Sequence, residues 1–400
     1  STFGSLTITG ANVSVTENAA MNLAGATVSG TGSFDSRNNA ITDSGTLTIS
    51  GATTLNSGTG DLTLDQTAST FGALTITGAN VSVTENASMD LAGATISGAA
   101  SFTSRNNAIT DSGTLAITGA TTFNSGSGDL TLDQAASMFG SLTITGANVS
   151  VTENAALDLA DATIGGTVSF NSLNSDITVA QDGGINITAS GASLAMQAGR
   201  SILINANITT NSGAIALTAN DPGTGVEDRD AGAGRITMAS GTVIDAGNAT
   251  ITLTSTGANA GDVTLGRLTT TNNTDAAVTI TTDAGIVDNG FDSTFGNAST
   301  FTAGNTTAGV AVGDFDGDGH QDVAAGNQFS GTATVIFGDG TGSFSVPVSV
   351  AVGNQPYFVV ADDFDGDGID DIVASNFENN TVTIRRGTVD RTFAGASSFT

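Results

Sequence analysis

The sequence predicts an all-β fold in two parts, and three observations carry that expectation. Apolar residues alternate with Thr, Ser and Asn in short runs, the period of strands, and no run keeps the helical period. One phrase recurs at a fixed interval through the first part of the chain, at Ser1, Ser69 and Ser137. A second, acidic phrase occurs twice near the other end, at Asp314 and Asp363.

The 68-residue unit begins Ser1-Thr-Phe-Gly-Ser-Leu-Thr-Ile-Thr-Gly. It returns from Ser69 and again, with Met138 in place of Thr, from Ser137. The first two copies differ at twelve positions, and the third diverges after about Ser172. Periods of this kind mark stacked repeats. Within a copy, Leu6 and Ile8, Val13 and Val15, Leu47 and Ile49, and Leu62 and Leu64 each point to one side of a strand. Between them, Gly10-Ala-Asn12, Glu17-Asn18, Asp43-Ser-Gly45 and Ser57-Gly-Thr-Gly60 read as corners that permit left-handed backbone. Strands and corners of these lengths suggest coils of about 22–23 residues, three to a unit. At about 4.8 Å per coil, residues 1–285 would form a rod on the order of 60 Å long. Phe34, Phe102 and Phe170 should then take equivalent core positions. A propeller of 68-residue blades is the competing arrangement, disfavoured by the short corners. The phrases at Gly213, Gly234, Ala249 and Gly261 (the last reading Gly-Asp-Val-Thr-Leu) continue the pattern. They resemble the filamentous-haemagglutinin class of secreted proteins, which implies a right-handed parallel β-helix over 1–285.

One excursion breaks the rhythm, Asn220 to Gly234. Its Glu227, Asp228 and Asp230 could meet a cation or a ligand, but they lack a metal-loop spacing, and a solvated corner loop is the plainer reading.

The acidic phrases are Asp314-Phe-Asp316-Gly-Asp318-Gly-His320-Gln-Asp322 and Asp363-Phe-Asp365-Gly-Asp367-Gly-Ile369-Asp-Asp371. Carboxylates at positions 1, 3, 5 and 9 with glycine at 6 make an oxygen cage, and hard oxygen donors in a flexible anionic loop suit Ca²⁺. An EF-hand would need Glu at position 12, where Ala325 and Ala374 stand. The flanks read as strands, Gly309 to Gly313 before the first loop, then Val323 to Ala325 and Ala333 to Phe337 after it. Loop and flanks together resemble the FG-GAP (VCBS-type) repeat of integrin-α-like propellers. That resemblance implies Ca²⁺ held by Asp314, Asp316, Asp318, Asp322 and the His320 carbonyl. In the second loop it implies Asp363, Asp365, Asp367, Asp371 and the Ile369 carbonyl. The His320 imidazole should face solvent. Walking the 49-residue period back aligns Phe344 with Phe295 and Phe393, and Val350 with Phe301 and Phe399. The second part is therefore expected over 286–400, as an incomplete propeller of FG-GAP-type blades. Two blades do not close a ring. Arg386-Gly-Thr-Val departs from the family's pattern in the second blade.

Composition narrows the function. The formal net charge is −29, and all nine basic residues are Arg. Such a surface repels nucleic acid and anionic membranes and attracts divalent cations. With no Cys there are no disulfides or thiolate metal sites. No stretch approaches the roughly 18 apolar residues of a membrane helix. Ser1 already lies inside a repeat with no initiator Met or signal peptide before it, so the chain is expected to be a piece of something longer. One His, one Tyr, no Lys and no Trp leave little for acid–base chemistry or sugar stacking, so no enzymatic role is expected. The expectation is a secreted or cell-surface bacterial protein, stabilised by calcium, that touches a glycan, a matrix or another cell. A self-assembling subunit of an extracellular filament, sheath or surface layer is the alternative.

Overall fold

The computed structural model describes residues 3–221, 230–288, 304–340 and 343–400. The chain divides into two compact units, Ser1–Ser293 and Thr294–Thr400. Among the described residues there are strands and no α-helices.

The first unit is a parallel β-solenoid with two sheets. Its strands pair only in parallel, each with the strand one coil before and one coil after. One of the two sheets runs through thirteen successive coils. The coil differs from the expected one. Seven steps along that sheet carry Val13 through Gly32, Thr53, Leu74, Met89–Leu91, Ile109 and Leu130 to Val149, its counterpart two repeats later. A repeat is thus three and a half coils rather than three, and each coil is correspondingly shorter than expected. Each repeat supplies seven strand legs. They are Leu6–Gly10, Val13–Thr16, Met21–Val28, Gly32–Asp35, the split leg Ile41–Asp43 with Leu47–Ile49, Thr53–Asn56 and Leu62–Leu64. Seven is odd and legs alternate between sheets, so every repeat begins on the face opposite its predecessor. Val81, the counterpart of Val13, lies in the other sheet, and Val149 lies in the first again.

The core is a column of aliphatic and Phe side chains between the sheets. Phe34, Phe102 and Phe170 are each fully buried as expected, but their positions are not equivalent, since Phe34 and Phe170 lie in one sheet and Phe102 in the other. Phe102 pairs in register with Phe123, and the rings stack 5.4 Å apart. Leu47, Ile49, Leu62 and Leu64 are buried, while Leu6, Ile8, Val13 and Val15 are only partly so. Their counterparts Leu74, Ile76, Val81 and Val83, with a coil on each side, are buried. Stacking also dictates where side chains are forbidden. A Cβ on Gly45 or Gly113 would come within 2.0 Å of the carbonyl oxygen of Ala24 or Ala92 in the adjacent coil.

The corners differ from the sequence reading in one important respect. Left-handed backbone falls at Gly58, as expected, and also at Arg37 and Asn38, repeated at Arg105 and Asn106. Glu17 is not a solvated corner residue. Glu17, Glu85 and Glu153 are at most 1 % exposed. Glu17 accepts from the Phe3 N–H and Glu85 from the Phe71 N–H, at 2.9 Å in the latter case. Neither carboxylate oxygen of Glu153 has a partner. Burial pushes Glu85 and Glu153 up to about 8, with the Phe71 N–H pulling Glu85 partly back.

The last solenoid strand is Ile286–Asp288, which pairs in parallel with Ala260–Leu265. These residues therefore belong to the solenoid and not to the 49-residue register, which was expected to begin at 286. In the second unit, two antiparallel four-stranded sheets follow. The first comprises Thr307–Gly313, Asp322–Asn327, Thr332–Ile336 and Val348–Ala351; the second Pro356–Asp362, Asp371–Asn376, Thr381–Gly387 and Phe393–Phe399. The expected alignment is present: Phe344 bridges Gly338 as Phe393 pairs Gly387, and Val350 pairs Ala333 as Phe399 pairs Val382. Phe295 and Phe301 lie outside the described residues. Despite its departure at Arg386, the second sheet forms its outer strand.

The buried glutamates give the solenoid a pH dependence with a definite sign. A carboxyl whose pKa is raised on folding holds a proton that the unfolded chain releases, so its contribution is complete below about pH 4.5 and lost as pH rises toward 8. Melting followed by circular dichroism should show the solenoid transition falling by on the order of 5 °C between pH 5 and pH 8.5. The double variant Glu85→Gln/Glu153→Gln should flatten that fall.

Candidate metal centres

Each acidic loop joins two antiparallel strands of its sheet. The first runs from Gly313, which ends Thr307–Gly313, to Asp322, which begins the next strand. The second runs likewise from Asp362 to Asp371. The first-position aspartates fold the loops: Asp314 accepts from the N–H groups of Gly317, Asp318 and Gly319 at 2.7, 3.2 and 2.9 Å. Asp363 accepts from Gly366, Asp367 and Gly368 at 2.7, 3.2 and 2.8 Å, and these donors hold its carboxyl below the usual range. That winding needs left-handed backbone at two places. Gly317 and Gly319 have φ of 71° and 85°, and Gly366 and Gly368 have 81° and 88°. The glycine at position 6 was expected from the sequence, whereas the equal need for one at position 4 emerges only from the winding.

The ninth-position aspartates are the anchors. Asp322 is fully buried and accepts from Phe315 N–H and Gly338 N–H, each at 2.8 Å. Asp371 repeats this with Phe364 at 3.1 Å and Gly387 at 3.0 Å. Burial raises the pKa of both, offset by these N–H groups. The nearby charges of Asp316 and Asp314, or of Asp365 and Asp367, add to the rise. Carboxylate oxygens of Asp314, Asp316 and Asp322 lie within 4.8 Å of one another, as do those of Asp363, Asp365 and Asp371. Two ligands on opposite sides of a Ca²⁺ ion, each at 2.3–2.6 Å, are about 5 Å apart, so this spread fits one ion. All the donors are hard oxygens, which again suits Ca²⁺ rather than a softer metal.

Three of the four expected carboxylates thus converge in each loop. Asp318 and Asp367 lie outside the convergent triads and accept from the N–H groups of His320 and Ile369, each at 2.9 Å. The His320 side chain is exposed. Sequence reasoning missed the arginines. Arg391 Nε donates to Asp316 Oδ2 at 2.6 Å with its NH2 group 3.4 Å from Asp318 Oδ2, and Arg386 Nε lies 3.2 Å from Asp365 Oδ2. A signal was present, since three of the nine arginines fall within 385–391. The first loop is also pinned to the second: Asp314 N–H donates to Asp370 Oδ2 at 2.9 Å, and Asp370 N–H to the Asp314 carbonyl at 2.8 Å.

The excursion at 220–234 makes no comparable cage among its described residues. Asp230 accepts from Ser175 Oγ at 2.5 Å, beside a two-point pair between Arg200 and Asp176. Glu227 and Asp228 lie outside the described residues.

Known families match both parts of the chain. Residues 10–77 and 78–145 match a family described as repeats of unknown function (DUF5649). Residues 314–374, which hold both loops, match the FG-GAP-like repeat. This is a repeat protein. No curated protein and no solved structure matches the chain. The first match keeps the 68-residue period, and the second covers all ten expected ligand positions.

The anchors and the open ligands should respond differently to substitution. Asp316→Asn and Asp365→Asn should each weaken calcium binding at one loop at least tenfold by calorimetry, and Asp365→Asn, at the more exposed of the two positions, should do so with little loss of stability in chelator. Asp322→Asn should also lower the melting temperature in chelator, because its amide strands the buried Gly338 N–H, a cost of about 1–3 kcal/mol.

Proposed function

We propose that this chain is an attachment stalk of the bacterial cell surface, a solenoid that presents a calcium-stabilised domain to a partner. The observation that carries the reading is the pairing of an extendable parallel solenoid with two acidic loops that fit Ca²⁺. A solenoid lengthens by adding repeats, since each coil needs only its neighbours. Loops that crowd carboxylates repel themselves until a cation binds, and binding to the folded state alone stabilises it. Extracellular calcium, at millimolar levels, loads even weak sites. The partner is a glycan, a matrix or a cell surface, and the role is mechanical rather than enzymatic.

The two antiparallel sheets are read as consecutive propeller blades. Gly309, Ala311 and Phe315 of the first sheet lie where Pro356–Asp362 and Phe393 of the second cover them. Phe315 is fully buried, whereas its counterpart Phe364 is 50 % exposed, as are Phe358 and Val360 to a similar degree. A third blade of the same kind would cover them. The second functional reading is a subunit that assembles end to end, by the same parallel pairing that joins each coil of the solenoid to the next.

Immobilised chain should capture glycans, matrix components or intact cells in 1 mM calcium and release them in chelator, while sedimenting as a monomer at micromolar concentration. Concentration-dependent polymers with no surface capture would replace the stalk by the filament. Reducing ends or unsaturated sugars released from a polysaccharide panel would replace both by an enzyme.

A further inference from the structure

The two loops receive their guanidinium groups from different places. In the second loop, Arg386 sits on Thr381–Gly387, a strand of the same sheet, and faces Asp365. The residue 49 positions earlier is Phe337, so the first sheet has no arginine there. Arg391 of the second sheet fills that position from outside. Its Cζ lies 5.3 Å from the centre of the Phe337 ring while its Nε meets Asp316. Arg391 holds a left-handed φ of 61° in a turn tied by Thr388 Oγ1 and Thr392 Oγ1, which both donate to Asp390. A non-glycine residue takes that backbone only where the surroundings impose it. The Asp316 side chain is 2 % exposed, so this is no freely solvated surface pair. The same feature, a guanidinium on the carboxylate at the third loop position, has therefore been built twice from residues that are not counterparts.

We propose that Arg391 and Arg386 are resident counter-ions that compete with the cation for Asp316 and Asp365, and so set the calcium concentration at which each loop loads. The proposal rests on the reading of the loops as calcium cages. Asp316 Oδ2 faces Arg391 at 2.6 Å, and a divalent ion bound to the same carboxylate would stand about 5 Å from the guanidinium. Even in a water-like dielectric, that repulsion changes affinity about tenfold. In exchange, the arginine relieves the carboxylate crowding of the empty loop and preserves its fold. The consequence differs between the loops. Loading the second loop is opposed by an arginine of its own sheet, whereas loading the first is opposed by Arg391, a contact between sheets.

Calcium titration calorimetry on the full 400-residue chain tests this. Asp365→Asn silences the second loop, and in that background Arg391→Gln should tighten binding about tenfold. Asp316→Asn silences the first, and there Arg386→Gln should do the same. Arg391→Lys, which keeps the charge, should stay within about threefold of the parent. Because Arg391 also joins the two sheets, stability is followed in parallel: calcium should raise the melting temperature more in Arg391→Gln than in its parent. Parent binding that Arg391→Gln leaves within twofold or weakens, or an equal or smaller rise in melting temperature, overturns the counter-ion role while the cages stand. No binding by any variant or by the unaltered chain at 10 mM calcium overturns the cages and the proposal together.

Discussion

The hydrogen-bond ladder between successive coils is the constraint on which the solenoid depends. A parallel ladder leaves little room for slip, because a shift of one residue would turn an entire apolar leg outward. Each leg therefore sits over one of matching pattern, Phe34 over Leu55, Val83 beside Phe102, Phe170 beside Met196. Because seven legs make a repeat, the same phrase must serve in both sheets in turn. Leu74 to Gly78 packs against Met89–Ile96 just as Leu6–Gly10 packs against Met21–Val28, with the same one-residue shift after the first pair. The two faces are thus interchangeable, and a repeat can be added without redesign of its neighbours. Within the solenoid, each added repeat moves every later leg to the opposite sheet.

The second unit is held by a different balance. Its sheets are short, and its apolar cluster is small beside the solenoid's. At its edge lie two triads of carboxylates within 4.8 Å. Anions so close cost energy unless something positive stands among them. The structure supplies backbone N–H groups to the first and ninth positions and guanidinium groups to the third, and the ligand chemistry admits a calcium ion. At the first loop the neutralising contact also ties one sheet to the next, through Arg391 on Asp316.

Much of this is legible in the sequence. The strand period, the 68-residue repeat, the three core phenylalanines and both acidic loops follow from residue order alone. The coil length does not. Clean alternation, such as that of Leu47 and Ile49, marks some legs, but Met21–Val28 goes unmarked because Gly25 interrupts its pattern. Identical phrases in consecutive repeats also suggest one place in one sheet, whereas they alternate between two. Glu17 reads as a corner because a charged residue beside Asn normally is one. That Glu recurs unchanged at 85 and 153 while position 22 varies from Asn to Asp is the available sign of burial. The arginines of the loops are not placed by residue order, because Arg391 meets Asp316 from far along the chain and from another sheet.

The most direct measurement is a thermal melt of the whole chain followed by circular dichroism, in millimolar calcium and in excess chelator. Two transitions are predicted, with the solenoid transition unmoved by chelator and that of the second unit lowered by several degrees. Superimposable melts in the two conditions would contradict the account, since loops that crowd six carboxylates into two triads would then gain nothing from the cation said to complete them.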